Sequence, residues 1–325
     1  MRLLNIASTL TFTTAAVHVT RRIVHLRGVR AAMSLSGQPV PPVVSVDWLA
    51  EQLSNVKVVD ASWYLPAMER NGLKEYEAQR IPGAVFFDVD ATDDTSSLPH
   101  MLPSNAFFAK TMMGLGIANS DHIVVYDGKG LFSAARLWWM CRAFGHERVS
   151  VLDGGLPRWL GAGKAVETGA PPPTPTPSAP FEANLRADKV ATRAMLAEAV
   201  ASRDSGVCII DARAKARFEG SVAEARKGCR SGRIPGSFNL PFDAVLHKDG
   251  TMRSPDEVIA AFDAAGVPDA ITRGALIGSC GSGVTAAVLA LALAASGRKD
   301  LLEIYDGSWA EWGADASLPI ATGAP

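Results

Sequence analysis

The chain has 325 residues, of which 48% are hydrophobic and 20% charged, a profile that suits two soluble domains with sizeable cores. Lys and Arg total 32 against 33 Asp and Glu, so no overall field favours nucleic acid, and an anionic ligand must be caught by a few local cations. Four cysteines, Cys141, Cys208, Cys229 and Cys280, show no CxxC pairing, which argues against zinc and a disulfide scaffold and for a reducing compartment.

The first 46 residues contain no Asp or Glu, yet carry Arg2, Arg21, Arg22, Arg27 and Arg30 among Ser, Thr and apolar residues. An acid-free, Arg-rich, hydroxyl-rich start reads as a mitochondrial transit peptide, assigned here to residues 1–40, with a cytoplasmic protein as the alternative. A secretory signal competes, because residues 3–17 are fairly apolar. The arginines follow that stretch instead of preceding it, however, and Thr9, Thr11, Thr13 and Thr14 dilute it. A merely disordered start upstream of Met33 is the third reading. No membrane span is expected: none of the chain reaches ~18–20 consecutive apolar residues, and Val284–Ala295 is too short.

Beyond the leader the chain is written twice. Asp60-Ala-Ser follows the β-rich run Val56–Val59, as Asp211-Ala-Arg follows Val207–Ile210. Arg80-Ile-Pro-Gly-Ala recurs as Arg233-Ile-Pro-Gly-Ser, Val124-Val-Tyr-Asp127 as Leu276-Ile-Gly-Ser-Cys280, and Asp153-Gly-Gly as Asp306-Gly-Ser. The offsets 233−80, 280−127 and 306−153 all equal 153, which means two copies of one domain. Between them Glu167–Pro180 has six prolines in fourteen residues and reads as a semi-extended linker. The expected organisation is a first copy over 41–165, a linker over 166–184 and a second copy over 185–320.

Within a copy, strands alternate with helical patterns, as in Ile123–Tyr126, Ser133–Phe144 and Val149–Leu152. That predicts an α/β fold, two tandem parallel sheets each with helices on both faces. Ligands of such sheets bind beyond the carboxyl ends of the strands, where Asp127 and Cys280 fall. Only the second copy has a thiol there, so the site is single.

Cys280 enters a glycine-rich loop that runs straight into a helix-like stretch. Gly281 and Gly283 let the backbone curl so that N–H groups point inward, and the helix start adds partial positive charge. A thiol so held is driven toward thiolate, and the same cradle suits the outer sulfur of a persulfide. Three other readings compete. A cysteine after a strand is often a small buried hydrophobe. A cysteine phosphatase needs an arginine six residues on, where this chain has Ala286. A serine hydrolase built on Ser282 would need G-x-S-x-G, and residues 280–284 read Cys-Gly-Ser-Gly-Val.

The loop Cys280-Gly-Ser-Gly-Val-Thr-Ala resembles the active-site loop of the 3-mercaptopyruvate sulfurtransferases, within the rhodanese family. Asp60-Ala-Ser-Trp-Tyr-Leu-Pro, Ile81-Pro-Gly-Ala-Val-Phe-Phe-Asp, His100-Met-Leu-Pro, Trp138-Trp-Met, Phe144-Gly-His, Leu152-Asp-Gly-Gly and Tyr305-Asp-Gly-Ser-Trp match in order over about residues 45–315. The resemblance implies tandem rhodanese domains with an inactive first copy. It implies that Cys280 takes sulfur from 3-mercaptopyruvate as a persulfide, releases pyruvate, and yields the sulfur to cyanide or to a thiol acceptor such as thioredoxin or a small thiol. No cofactor and no metal are implied, and neither nucleic acid nor membrane is an expected partner.

Family members that prefer thiosulfate resemble Cys-Arg-Lys-Gly-Val-Thr, whereas Gly281 and Ser282 are neutral here, which favours a donor with one carboxylate. A thiosulfate sulfurtransferase and a non-catalytic rhodanese-like binding module stay as alternatives. By resemblance Arg217 and Arg226 grip the carboxylate, as a planar fork does well, and Gly281, Gly283, Val284 and Thr285 complete the binding set. Lys227, Arg230 and Arg233 crowd the same segment, so that assignment can slip by one. An Asp–His–Ser relay is implied at Asp90, His100 and Ser282. Read without the family, His100 is a satisfied loop histidine and the arginines are surface groups. Arg80 and Arg233 depart from the family's His before Ile-Pro-Gly, at a position that looks structural. Cys229 reads as a redox-sensitive thiol or an ordinary loop cysteine, and Cys141 and Cys208 as buried packing.

Overall fold

Buried parallel strands need apolar residues on both faces, and the chain supplies them in short runs such as Ile123-Val-Val-Tyr126, every residue of which is buried. In the computed structural model the first copy runs β1 (Val43–Val44), α1 (Val46–Gln52), β2 (Lys57–Asp60), α2 (Gly72–Ala78), β3 (Val85–Phe86), α3 (Asn105–Gly114), β4 (Ile123–Tyr126), α4 (Ala134–Ala143), β5 (Val149–Leu152) and α5 (Gly155–Gly161). The second runs β6 (Val190–Ala191), α6 (Arg193–Ala201), β7 (Cys208–Asp211), α7 (Lys215–Phe218), β8 (Phe238–Asn239), α8 (Pro255–Ala264), β9 (Leu276–Ser279), α9 (Ala286–Ala295), β10 (Leu302–Tyr305) and α10 (Ser308–Trp312). The structure describes residues 40–171, 173–174, 176–202, 206–267, 276–298 and 302–324. The expected leader over 1–40 lies outside the described residues up to position 39.

The sheets have orders β1-β5-β4-β2-β3 and β6-β10-β9-β7-β8, one permutation used twice, and every strand pair is parallel. β4 and β9 sit at the centre, so Asp127 and Cys280 leave their sheets at the same point. Some helix starts carry side-chain caps, Ser254 and Glu257 as a reciprocal box at α8 and Ser104 at α3, whereas the short helices α5, α7 and α10 carry none. α4 and α9, which follow the central strands, have none. What satisfies those helix starts bears on the site.

Both sheets belong to one compact unit. α4 and α9 pack on each other, and one apolar cluster runs from Phe108 and Trp138 of the first copy to Val288 and Leu293 of the second. The Pro-rich connection is not a free spacer. Phe181 is 3% exposed within that cluster, and Asn184 and Arg186 donate their N–H groups to the carbonyls of Phe144 and Ala143. Arg80 and Arg233 play matching parts at the domain ends. Arg80 Nη1 donates to Gly169 O at 2.6 Å and Arg233 Nη1 to Gly323 O at 2.6 Å, each tying down the segment that leaves its sheet. Among the described residues no helix is long and apolar enough to cross a membrane.

Candidate active site

Residues 280–285 leave β9 and curl into α9, and three of the loop's carbonyls are held from outside. Cys280 O accepts from Trp309 N at 3.0 Å, Gly281 O from Ala310 N at 2.9 Å, and Gly283 O from Arg136 Nη1 at 3.4 Å. A trans peptide points its C=O and the following N–H in opposite directions. Pinning those oxygens outward therefore turns the N–H groups of Gly281, Ser282 and Val284 inward. Cys280 N itself donates to Ser308 Oγ at 3.2 Å. Cys280 is 1% exposed and touches the apolar cluster. Among the described residues no acceptor meets the N–H groups from Gly281 to Ala286.

The first copy shows what such a loop holds. Asp127, at the place of Cys280, takes N–H donors on both carboxylate oxygens: Lys129 at 2.9 Å and Gly130 at 3.1 Å on one, Phe132 at 2.8 Å and Ala134 at 2.9 Å on the other. The side-chain anion fills the cradle and caps α4. Cys280 is the corresponding residue of the second loop, whose N–H groups from Gly281 to Ala286 meet no acceptor among the described residues.

Arg136 of the first domain reaches this loop at Gly283 O and also holds the carbonyl of His100, which links the loop to a first-domain cluster. Asp90 Oδ1 pairs with His100 Nδ1, and Asp90 Oδ2 accepts from Trp63 Nε1 at 3.0 Å. The Trp63 ring meets the imidazole edge-on with centroids 4.5 Å apart. Burial raises the Asp90 carboxyl, but the bond and charge of His100, the bond from Trp63 and the charge of Arg226 together hold it below the usual range. Asp90 and His100 are thus brought together, and the charge of Arg226, an exposed residue, acts on Asp90. Ser282 has no hydrogen bond among the described residues, to His100 or otherwise.

Arg217 lies beside the loop: a Cβ on Gly281 would stand 3.4 Å from its Nη2. Glu224, buried, fixes it through Nε at 3.3 Å and Nη2 at 2.5 Å, and also takes Arg213 Nη1 at 2.8 Å. Burial works against the Arg213 charge, but Asp211, Glu224 and Cys280 outweigh it and raise its pKa. The crowded arginines separate cleanly. Arg230 gives its donors to the carbonyls of Gly313, Leu318, Trp312 and Asp315, and Arg233 to the C-terminal segment, so neither faces the loop.

Sequence reasoning missed Arg136, Glu224, Asp306 and Ser308. Arg136 left one signal, a charge inside an otherwise apolar helix pattern. All four cysteines are free. Cys229 is partly buried with Sγ 3.9 Å from Ala310 O, and burial raises its thiol although Arg226 opposes it. Cys141 is fully buried, whereas Cys208, expected as buried packing, is only partly so, and its burial pushes the thiol up to about 11.

Fold and site together define a class: a tandem α/β protein with duplicated anion-binding loops, one closed by its own aspartate and one carrying a cysteine. The chain belongs to the rhodanese family, since the Rhodanese-like domain matches residues 45–162 and 194–315. It is 44% identical over 301 residues to Arabidopsis thaliana Thiosulfate/3-mercaptopyruvate sulfurtransferase 1, mitochondrial, covering 86% of this chain and 78% of that one. It is 44% identical over 283 residues to the 3-mercaptopyruvate sulfurtransferase of Escherichia coli strain K12, covering 85% and 96%. The crystal structure of SseA from Escherichia coli, a 3-mercaptopyruvate sulfotransferase, matches with a TM-score of 0.73 at 40% identity, covering 84% of this chain and 100% of that one. The tandem fold and the resemblance read from the loop both stand.

Proposed function

We propose that the protein is a sulfurtransferase that moves sulfur from 3-mercaptopyruvate through a persulfide on Cys280. The carrying observation is the loop of inward-turned N–H groups around Cys280, beside a copy in which the same loop holds a carboxylate. In the reaction the Cys280 thiolate attacks the substrate sulfur. The sulfur–sulfur bond forms as the carbon–sulfur bond breaks, and the electron pair stays on carbon as the enolate of pyruvate. The persulfide's outer sulfur is anionic and rests among the amides. A thiol acceptor, or cyanide in an assay, attacks that sulfur and returns the thiolate.

Arg217 and Arg226 take the substrate carboxylate in this reading, supported by the place of Arg217 beside Gly281 and the charge of Arg226 acting on Asp90. Gly281, Gly283, Val284 and Thr285 form the wall around the sulfur. Asp90 orients His100, which polarises Ser282 to protonate the enolate; the Asp90–His100 pair supports the first link of that relay. The neutral pair Gly281 and Ser282 favours mercaptopyruvate over the dianion thiosulfate. The acid-free start of the chain directs the protein to mitochondria in the same reading.

The test is mass spectrometry of the full chain after exposure to each donor. Mercaptopyruvate should add about one sulfur per chain, mapped to Cys280, and thiosulfate should load it more slowly. A Cys280→Ser variant should carry none and turn nothing over. Sulfur on another residue, or turnover retained in that variant, ends the proposal.

A further inference from the structure

Arg136 sits in α4, all ten residues of which are buried, and is itself 0% exposed. A guanidinium is costly to bury, and although its Nε meets no hydrogen-bond partner, what its two terminal nitrogens hold says what it is for. Nη2 donates to the carbonyl of His100 and pairs with Asp306 Oδ1 at 2.7 Å, while Nη1 donates to Gly283 O at 3.4 Å. Asp306 returns to the first copy, its Oδ2 accepting from Leu102 N at 2.7 Å. One side chain thus touches the histidine turn of the first copy and the cysteine loop of the second.

Of the two residues whose carbonyls it holds, one lies at a strained backbone conformation and the other at one that glycine adopts freely. His100 lies at φ 58, in the left-handed region a non-glycine residue occupies only when its surroundings require it. Gly283 lies at φ 78, and a Cβ there would come within 2.8 Å of Arg136 Nη1 and 3.0 Å of Asp306 O. The loop is therefore drawn against the guanidinium as closely as a glycine permits. Holding Gly283 O outward is also what turns the Val284 N–H inward.

We infer that Arg136 is a positioning residue for the sulfur-transfer step: from the inactive copy it completes the amide cradle around Cys280 and holds the His100 turn in register with that loop. The proposal deepens the sulfur-transfer reading and rests on it for the meaning of turnover. It also makes the first domain a working part of the site, since the second copy alone lacks the donor that orients Val284.

Arg136→Lys keeps the charge opposite Asp306 but has a single nitrogen in place of the two that separately hold the carbonyls of Gly283 and His100. Its kcat should fall about tenfold to a hundredfold, with the donor KM within about threefold of the original, because the lost contact shapes the loop and not the carboxylate grip. Alkylation of Cys280 by iodoacetamide at neutral pH should slow about tenfold per folded molecule, a change that loss of packing alone would not produce. A folded variant that alkylates and turns over like the original overturns the inference. If the variant does not fold, the original protein decides the question by NMR. The amide protons of Gly281, Ser282 and Val284 should shift together when iodoacetamide blocks Cys280; Val284 unmoved while the other two move also overturns it. Neither alkylation nor NMR needs a sulfur donor, so a failure of the sulfur-transfer reading is told apart from a failure of this one.

Discussion

Arg217 approaches the cysteine loop with two of its nitrogens already turned to Glu224, which leaves Nη1 to face a ligand. A lysine there keeps a charge but loses the fork that serves carboxylate and Glu224 together. Arg217→Lys should raise the mercaptopyruvate KM about tenfold while changing kcat by less than about threefold. An unchanged KM would remove Arg217 from carboxylate binding. A second residue sets a pH limit. His146 is 2% exposed; burial lowers its pKa to about 4, the bond to Arg148 O resists, and the Arg148 charge adds to the fall. Unfolded, it titrates near ~6.5, so from there down to about 4 the unfolded chain binds more protons and stability falls as pH falls. His146→Gln removes that proton uptake. Its thermal midpoint should drop less than the original's between about pH 7 and about pH 4.5, and parallel profiles would refute the assignment. Cys280 was legible in the sequence because strand, glycines and helix surround it. Arg136 and Glu224 were not, because their importance lies in which distant carbonyls and cations they meet.

Among elements, the pair of strand–loop–helix units is the clearest comparison the molecule offers. Both loops run into a helix whose N-cap residue offers it no side-chain acceptor, and in the first copy Asp127 supplies the acceptor for four N–H groups. Removing that carboxylate leaves buried donors facing nothing of their own. Asp127→Ala should destabilise the protein by about 3 kcal/mol in urea unfolding, with turnover per folded molecule unchanged. A loss below about 1 kcal/mol would mean that the loop relaxes, and the likeness of the two cradles would lose its force. The strands and central helices were readable to within a residue or two, since β4 and α4 are long apolar runs between turn residues. That Asp127 itself fills its loop was not readable. The repeat aligns Asp127 with Cys280, but only the curl of the loop shows four amides converging on it.

Across the whole molecule the copies are joined through matching contacts. Asp153 Oδ1 accepts from Met252 N at 2.8 Å and Asp306 Oδ2 from Leu102 N at 2.7 Å, so each domain's turn aspartate captures a main-chain amide of the other. The repeat offset told of two domains but not of this arrangement, because the captured partners are backbone groups that any residue carries. α4 and α9 pack between the sheets, and the linker adds Phe181 to the same apolar cluster, where it meets Phe108 edge-on at 5.9 Å. With the core shared in this way, neither half can open without exposing apolar surface of the other. Calorimetry should therefore show one unfolding transition for the full chain. Phe181→Ala, which empties the linker's place in the cluster, should cost about 3 kcal/mol and still give a single transition at a lower temperature. Two resolved transitions in the original protein would mean that the halves are independent. The contact between them would then be a loose one, unable to keep His100 and the Cys280 loop at the fixed separation that the proposed relay requires.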